Sequence, residues 1–290
     1  FFAFGSEIKA ITETYTFSKE LNHKTLYEYM TFQNILTNNT FLKDIKILQA
    51  GHYAVLNLNQ HFDNRFKIHK YWDYDFSCDS KIKSHREYKE ELHFLFEQAV
   101  NRQLVSDVEV GTYLSGGMDS GSITALASKN FENIKSFTVG FDLSSAEGLE
   151  LAFDERKNAE FMSNIFKTEH YEVVLKAGDM ERCLPSLINH LEDPRVGQSY
   201  PNFYATKLSS KFVKVVLSGT GGDELFGGYP WRYFPFIKCK SLEEYTNNYY
   251  KYWQRMLTNR ELLELFRPIK EKVSNLSTKE IFKSILNGQQ

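Results

Sequence analysis

Cysteine is scarce in this 290-residue chain: Cys78, Cys183 and Cys239 lie far apart, with no CxxC pair. That excludes a disulfide framework and a cysteine-based structural zinc, and it suits a reducing compartment, so a cytoplasmic location is expected. The eight histidines are scattered, with no HxH or HxxxH spacing, which excludes a histidine metal centre of the usual kind. Six prolines and 16 glycines form no low-complexity tract, and no internal repeat occurs. No apolar run approaches the ~18 residues of a membrane span. Neither sign of charge dominates: Lys and Arg number 35 against 37 Asp and Glu, a net charge of −2. The chain therefore has no electrostatic basis for holding nucleic acid or an anionic membrane.

Aromatic residues, by contrast, are plentiful, with 24 Phe and 17 Tyr, and hydrophobic residues make up 42%. Such a chain can bury a core and is not disordered. Its length suits roughly two domains at about 150 residues each. The opening FFAFGSEIKAI has no initiator methionine and no signal-peptide character, and KEIFKSILNGQQ stops in a helix-like stretch. A piece of a longer polypeptide is expected.

The first ~75 residues read as short strands among turns, with Phe1–Phe4, Ile45–Leu48 and His52–Leu58 as candidates and polar turns at Asn59 and Asn64. Gly51 precedes one strand where a positive-φ turn fits. Tyr71–Phe76 ends this region, and SCDSKIKSHRE reads as a linker. From Tyr88 onward, helices and strands alternate. The 3.6-residue recurrence of Leu92, Leu95, Phe96, Ala99, Val100 and Leu104 predicts a helix. Strands are predicted at Val108–Leu114, Ile134–Phe141, His170–Leu175 and Lys214–Ser218. Helices are predicted at Ser120–Asn130, Phe153–Lys167, Asp179–Leu191 and Asn202–Phe212, and mostly helix follows Pro230. This order implies an α/β fold with a doubly wound parallel sheet, whose ligands bind beyond the carboxyl ends of the strands.

Two segments carry the chemistry. In GTYLSGGMDSGSI an apolar strand runs into Ser115-Gly116-Gly117-Met118-Asp119-Ser120, and a helix follows at once. Adjacent glycines let backbone N–H groups approach an anion, the two serines add hydroxyl donors, and the helix start adds positive potential. This is a phosphate cradle without the GxxxxGK[ST] spacing of a Walker A loop. Asp119 would repel bare phosphate, so it implies an intervening cation, most simply Mg²⁺. About a hundred residues on, KVVLSGTGGDELFGGYPW repeats the design, with Ser218-Gly219 after a strand and Asp223-Glu224 beyond. If both strands share one sheet, Asp119 and Asp223 could hold one Mg²⁺ from two sides.

LVSDVEVGTYLSGGMDS followed by VVLSGTGGDELFGGY resembles the synthetase domain of the glutamine-hydrolysing asparagine synthetase family, class B, and SGGxDS is the loop signature of N-type ATP pyrophosphatases. FFAFGSEIKAI is similar to the late part of that family's glutaminase domain, and the AGHYAVL and YWDY segments continue the likeness. The resemblance implies two domains. Residues 1–75 would be the C-terminal part of an N-terminal-nucleophile (Ntn) glutamine amidotransferase domain. Residues 76–290 would be an ATP-pyrophosphatase domain of the adenine nucleotide alpha hydrolase-like kind, lacking its end. It also implies the reaction: MgATP adenylates the β-carboxylate of aspartate, pyrophosphate leaves, and glutamine-derived ammonia displaces AMP to give asparagine. The expected cofactors are ATP and Mg²⁺, the partners are small-molecule substrates, and a homodimer is compatible with the family.

Carried over position by position, Ser115, Gly116, Gly117, Asp119 and Ser120 would bind pyrophosphate. Leu114, Val139, Ser218 and Gly219 would contact the adenosine of ATP, and Asp119 and Asp223 would bind the metal. Ser199, in HLEDPRVGQSYPNFY, is a substrate-contact candidate, with a helix N-cap as the competing reading. In the same stretch, Glu192-Asp193 reads as a solvated pair; DERKNAE, at 154–160, reads as a helix surface. The family's loop reads SGEGxDE, and its Glu, tied to acyl-adenylate formation, is replaced here by Thr220. Thr220 inherits the catalytic position without the charge, which opens a second reading in which another carboxylate is adenylated. A third reading is a nucleotide-binding remnant without catalysis. Neither the N-terminal cysteine nucleophile of the glutaminase nor the segment with the family's catalytic lysine occurs in these 290 residues.

Overall fold

The apolar runs of this chain stop at glycine-rich turns, and the folded protein places those stops on one edge of a parallel sheet. The computed structural model describes residues 2–13, 17–59, 65–75, 77, 83–144, 154–194 and 199–287. Two helices come first, α1 (Ile8–Thr12) and α2 (His23–Phe32). Strands β1 (His52–Leu56) and β2 (Phe66–Lys70) then pair antiparallel, with His52 opposite Lys70. Gly51 turns into β1 at φ +68°, as its position suggested.

Helix α3 (His85–Gln103) opens on a capping box, Ser84 accepting from the Glu87 N–H while the Glu87 carboxylate accepts from the Ser84 N–H. There follow β3 (Val110–Tyr113), α4 (Met118–Asn130), β4 (Lys135–Phe141), α5 (Arg156–Phe166) and β5 (Glu169–Leu175). Next come α6 (Asp179–Leu191), α7 (Ser199–Ser209), β6 (Val215–Leu217), α8 (Gly222–Phe226) and α9 (Pro230–Tyr233). The last helices are α10 (Leu242–Trp253), α11 (Asn259–Leu265), α12 (Lys270–Val273) and α13 (Thr278–Asn287).

The four strands of the larger sheet lie in the order β5-β4-β3-β6, all parallel. The protein is thus α/β with a doubly wound sheet. From β3 the chain moves outward through β4 to β5, then returns to add β6 on the other side of β3. The strand order therefore reverses between β3 and β6, where such sheets open their ligand crevice. A core of Val100, Leu104, Val110, Leu126, Ala127 and Ile134 seals α3 and α4 against the sheet. On β4, Phe137 is 1% exposed and stacks on Tyr171 at 5.8 Å between ring centroids.

The chain divides into two compact units. One holds Ser80–Leu191 and Val196–Phe234, the other Phe1–Asp79, Glu192–Arg195 and Pro235–Gln290. In the second unit, Tyr27 of α2 packs with Leu262, Phe266 and Val273. Phe32 packs with Tyr250 and Phe282, so the aromatic Tyr245–Trp253 stretch serves helix packing. The buried Glu28 accepts from the Thr37 N–H and Thr37 hydroxyl, each at 2.9 Å, and from the Leu36 N–H. Glu192 accepts from the Ile8 and Lys9 N–H groups at 2.6 Å each, so this carboxylate anchors α1 and is not a solvated member of a pair.

Residues 2–4 and 45–48 are not strands. β-like composition makes a strand only when a ladder partner is present, and here the Ile45 carbonyl accepts from the Thr40 hydroxyl at 2.9 Å while Ile47 N–H donates to Asn38. Asn64, Phe153 and Gly288, and most of the SCDSKIK stretch, lie outside the described residues.

Candidate functional site

Strand β3 ends in Leu114, which is fully buried. Its N–H donates to the Phe137 carbonyl at 3.0 Å and its carbonyl accepts from the Thr138 hydroxyl. Both backbone groups of Leu114 are thus engaged within the sheet. Val139 lies on β4 opposite Val173. From this fixed base the chain leaves the sheet as a tight loop. Ser115 directs its N–H to the Ser120 hydroxyl at 3.1 Å, and the two hydroxyls are 3.0 Å apart. Gly116 adopts φ +81° against the start of α5, where a Cβ would stand 3.0 Å from the Ala159 nitrogen. A side chain at 116 would be strained and would also collide.

Gly117 caps α4 without a side-chain hydrogen bond, and the first intrahelical bond runs from Gly121 N–H to Gly117 O at 2.9 Å. The N–H groups of Met118, Asp119 and Ser120 therefore sit at the positive end of a 13-residue helix with no side chain capping them. That arrangement receives anions. Thr124 donates to Thr112 at 3.0 Å and fastens the helix to the strand below it.

The second loop follows β6, the immediate neighbour of β3. Ser218 and Thr220 pair their hydroxyls at 2.8 Å, and Thr220 N–H donates to the Ser218 hydroxyl at 3.3 Å. Between them, Gly219 lies against the first loop, where a Cβ would stand 2.6 Å from the Ser120 nitrogen. Gly222 lies against the Asp119 carboxylate closely enough that any side chain would overlap it. The two loops are in contact through backbone. Asp223 and Glu224 open α8, and Tyr229 donates to Glu224 Oε1 at 3.2 Å. Partial desolvation, Glu224 and Asp223 together push the Tyr229 phenol up to about 12. The Arg232 guanidinium lies 3.7 Å from the centroid of the Tyr229 ring.

The structure thus brings Ser115, Gly116, Gly117, Asp119, Ser120, Ser218, Gly219 and Thr220 onto one sheet edge, with Asp223 next to Gly222. It leaves Leu114 and Val139 in the sheet. Ser199 opens α7, and among the described residues no hydrogen bond ties it to either loop. Among the described residues, no cluster of three His, Cys, Asp or Glu side chains forms a metal cage.

A family model for asparagine synthase matches residues 91–288, which include the whole of this sheet. The chain belongs to the asparagine synthase family. A second model, for a glutamine amidotransferase domain, matches residues 1–72. The chain is similar to asparagine synthetase [glutamine-hydrolyzing] 3 of Bacillus subtilis (strain 168), with 30% identity over 285 residues, covering 90% of this chain and 44% of that protein. A relative in Mycobacterium tuberculosis (strain ATCC 25618 / H37Rv) is 30% identical over 232 residues, 78% of this chain and 34% of its own length. The chain thus spans about a third to under half of the curated relatives it matches. Among solved structures, the NH3-dependent NAD synthetase from Campylobacter jejuni subsp. jejuni matches with 14% identity and a TM-score of 0.30, over 71% of this chain and 95% of that one.

Two contributors to this family member's site escaped the sequence reading. The first is Glu155. It precedes α5 in the DERKNAE stretch, read as plain helix surface, yet desolvation raises its carboxyl pKa, and the influence of Ser115 opposes the rise. Nothing local in the sequence signals this, because Ser115 is 40 positions away on another element. Beside it, Arg156 pairs with Asp154 at 2.7 Å and donates to the Phe141 carbonyl, closing the end of β4. The second contributor is Tyr229. Its signal was its place directly after Gly227-Gly228, a turn able to fold the chain back on Asp223. No helix among the described residues is long and apolar enough to cross a membrane.

Proposed function

We propose that this chain carries the ATP-pyrophosphatase part of a glutamine-dependent carbon–nitrogen ligase: it binds MgATP and activates a carboxylate as an acyl-adenylate for attack by ammonia. The observation that carries the reading is the contact of Gly219 with Asp119-Ser120, which supports two strand-end loops acting as one anion cradle. In this reading the uncapped N–H groups at the start of α4, with Ser115 and Ser120, hold the pyrophosphate portion of ATP. A carboxylate oxygen of the substrate attacks the α-phosphorus, the bond to the bridging oxygen breaks, and pyrophosphate departs with that electron pair. Donors already aimed at the departing anion stabilise the transition state most, because its charge grows there. Ammonia then attacks the acyl carbon and AMP leaves.

Asp119 and Asp223 are the residues that would hold Mg²⁺. Two carboxylates on touching loops suit a hard cation that completes its shell with phosphate oxygens and water. When bound, Mg²⁺ would neutralise phosphate charge and polarise the α-phosphorus. Residues 1–75 are the proposed C-terminal part of a glutamine amidotransferase domain and 76–290 the proposed synthetase portion. The amide donor would be glutamine and the acceptor aspartate. Thr220, exposed and paired with Ser218, favours the second reading, in which another carboxylate takes the place of aspartate.

Calorimetric titration of the chain with ATP tests the proposal. Binding that requires Mg²⁺ supports it, and absence of binding at millimolar ATP defeats it. Exchange of labelled pyrophosphate into ATP, assayed over a panel of carboxylates, separates the acceptors. Exchange with aspartate alone would remove the second reading.

A further inference from the structure

Strand β4 ends beneath an arginine. The Arg156 side chain lies across Gly140, where any Cβ would overlap it, so only glycine lets the guanidinium reach the strand end. There its Nη2 donates to the Phe141 carbonyl at 2.9 Å. The same nitrogen and Nε donate to the two Asp154 carboxylate oxygens, at 2.9 and 2.7 Å. The Asp154 side chain is only 10% exposed, so water competes little for these bonds. The planar fork of Arg fits a carboxylate with two parallel bonds, a geometry that a Lys ammonium cannot reproduce.

Arg156 is also the first residue of α5, so these bonds fix where that helix starts. Asn158 and Ala159, in its first turn, lie on the first glycine-rich loop. A Cβ on Gly116 would overlap Asn158 and stand 3.0 Å from the Ala159 nitrogen. Ala159 is wholly buried, and its N–H donates to the Glu155 carbonyl at 3.0 Å, so this turn has no flexible side chain with which to absorb a shift. Residues 156 and 159 are about 4.5 Å apart along a helix axis. A displacement at the strand end is therefore passed through close packing to Gly116, and from there to Gly117 and the uncapped start of α4.

We propose that Arg156 is a positioning residue for the phosphate cradle. By fastening the start of α5 to the end of β4, it sets Asn158 and Ala159 against Gly116 and holds the 115–120 loop in the shape that receives the pyrophosphate portion of ATP. This rests on the reading of that loop given under the proposed function. The guanidinium is engaged by Asp154 and the Phe141 carbonyl, and it acts on the loop through α5.

The test is calorimetric titration of the chain with MgATP, inorganic pyrophosphate and AMP, for wild type and Arg156→Lys, with thermal unfolding to confirm that both are folded. Lys keeps the charge and removes the fork. AMP lacks the two phosphates that the loop would hold, so it reports on the rest of the nucleotide site. The expected result is MgATP and pyrophosphate each bound about tenfold more weakly, the scale of one hydrogen bond to a charged group, with AMP affinity within twofold of wild type. MgATP affinity within twofold of wild type overturns the inference and leaves the proposed function standing. An equal loss for AMP and MgATP also overturns it, because that is a general disturbance of the fold. Wild-type protein that binds MgATP no tighter than AMP removes the pyrophosphate reading of the loop itself, and the inference with it. Should Arg156→Lys not fold, Asp154→Asn, which keeps the shape and removes the charge that holds the fork, gives the same readout with a smaller shift in the same direction.

Discussion

Gly219 and Ser120 touch through backbone: a Cβ on residue 219 would stand 2.6 Å from the Ser120 nitrogen and 2.9 Å from the Asp119 carbonyl carbon. Ser120 is itself buried and tied by its hydroxyl to Ser115, so it has no flexible end with which to yield. Gly219→Ala must therefore push the loops apart. We expect the overpacking to cost about 1–3 kcal/mol of stability and to weaken MgATP binding by at least about tenfold. Calorimetric titration beside thermal unfolding checks both, and an alanine variant that binds as wild type does would show that the two loops do not share a ligand.

Asp119 stands in the first turn of α4 with Gly222 against its carboxylate. Asp119→Asn keeps the shape and removes the charge. The expected outcome is MgATP affinity reduced about tenfold, with a steeper Mg²⁺ requirement. Unchanged affinity at limiting Mg²⁺ would count against a metal role.

Glu28 is wholly buried, and its carboxylate satisfies two backbone N–H groups and one hydroxyl of the 36–37 turn. Glu28→Ala leaves those part-buried donors without their acceptor. The expected loss is about 2–4 kcal/mol, read as a fall in the unfolding midpoint, with Glu28→Gln less harmful because its amide oxygen still accepts.

His170 of β5 is largely buried, its ring bonded to the Ser136 hydroxyl at 2.8 Å, and Ser136 bonds in turn to Thr168 at 2.7 Å. Burial lowers its pKa below the ordinary value, against the opposing pull of Glu172 at 3.3 Å and of Glu160. Between the lowered folded pKa and the unfolded value near about 6.5, the unfolded chain binds more protons than the folded one. Stability contributed by neutral His170 is therefore full above that unfolded value and lost as pH falls through the window below it. Unfolding midpoints measured from about pH 7.5 down to about pH 5 should decline more steeply for wild type than for His170→Gln. Parallel curves would show that His170 does not set the acid response.

Much of the sheet could be read from the chain. Helix α6 lies at Asp179–Leu191 as its pattern predicts, and β3, β4, β5 and β6 fall within a residue or two of their apolar runs. These elements are locally determined, because apolar runs bounded by glycine or polar turns have few other ways to fold. Helix α2 was not visible. Its buried residues are Thr25, Tyr27, Glu28, Tyr29, Thr31 and Phe32, a set whose polar members read as surface until the 36–37 turn and the distant α11 and α12 are seen to cover them. Phe161 and Ile165 run the other way, since apolar side chains on one side of a helix read as its core face. They share a side of α5 but are 67% and 56% exposed, while Ala159 and Ser163 face inward.

By itself, the sequence determined the composition of the cradle: serines, adjacent glycines and acidic residues placed where two strands end, which local pattern alone can specify. Only the tertiary structure decided that these strands are neighbours, that Gly219 and Gly222 lie on Asp119 and Ser120, that the start of α5 lies on Gly116, and that Tyr229 turns back to Glu224. The reason is physical. Strand order and close backbone approach are properties of pairs of segments about a hundred residues apart, and they are settled by sheet pairing and packing, not by the preferences of either segment alone.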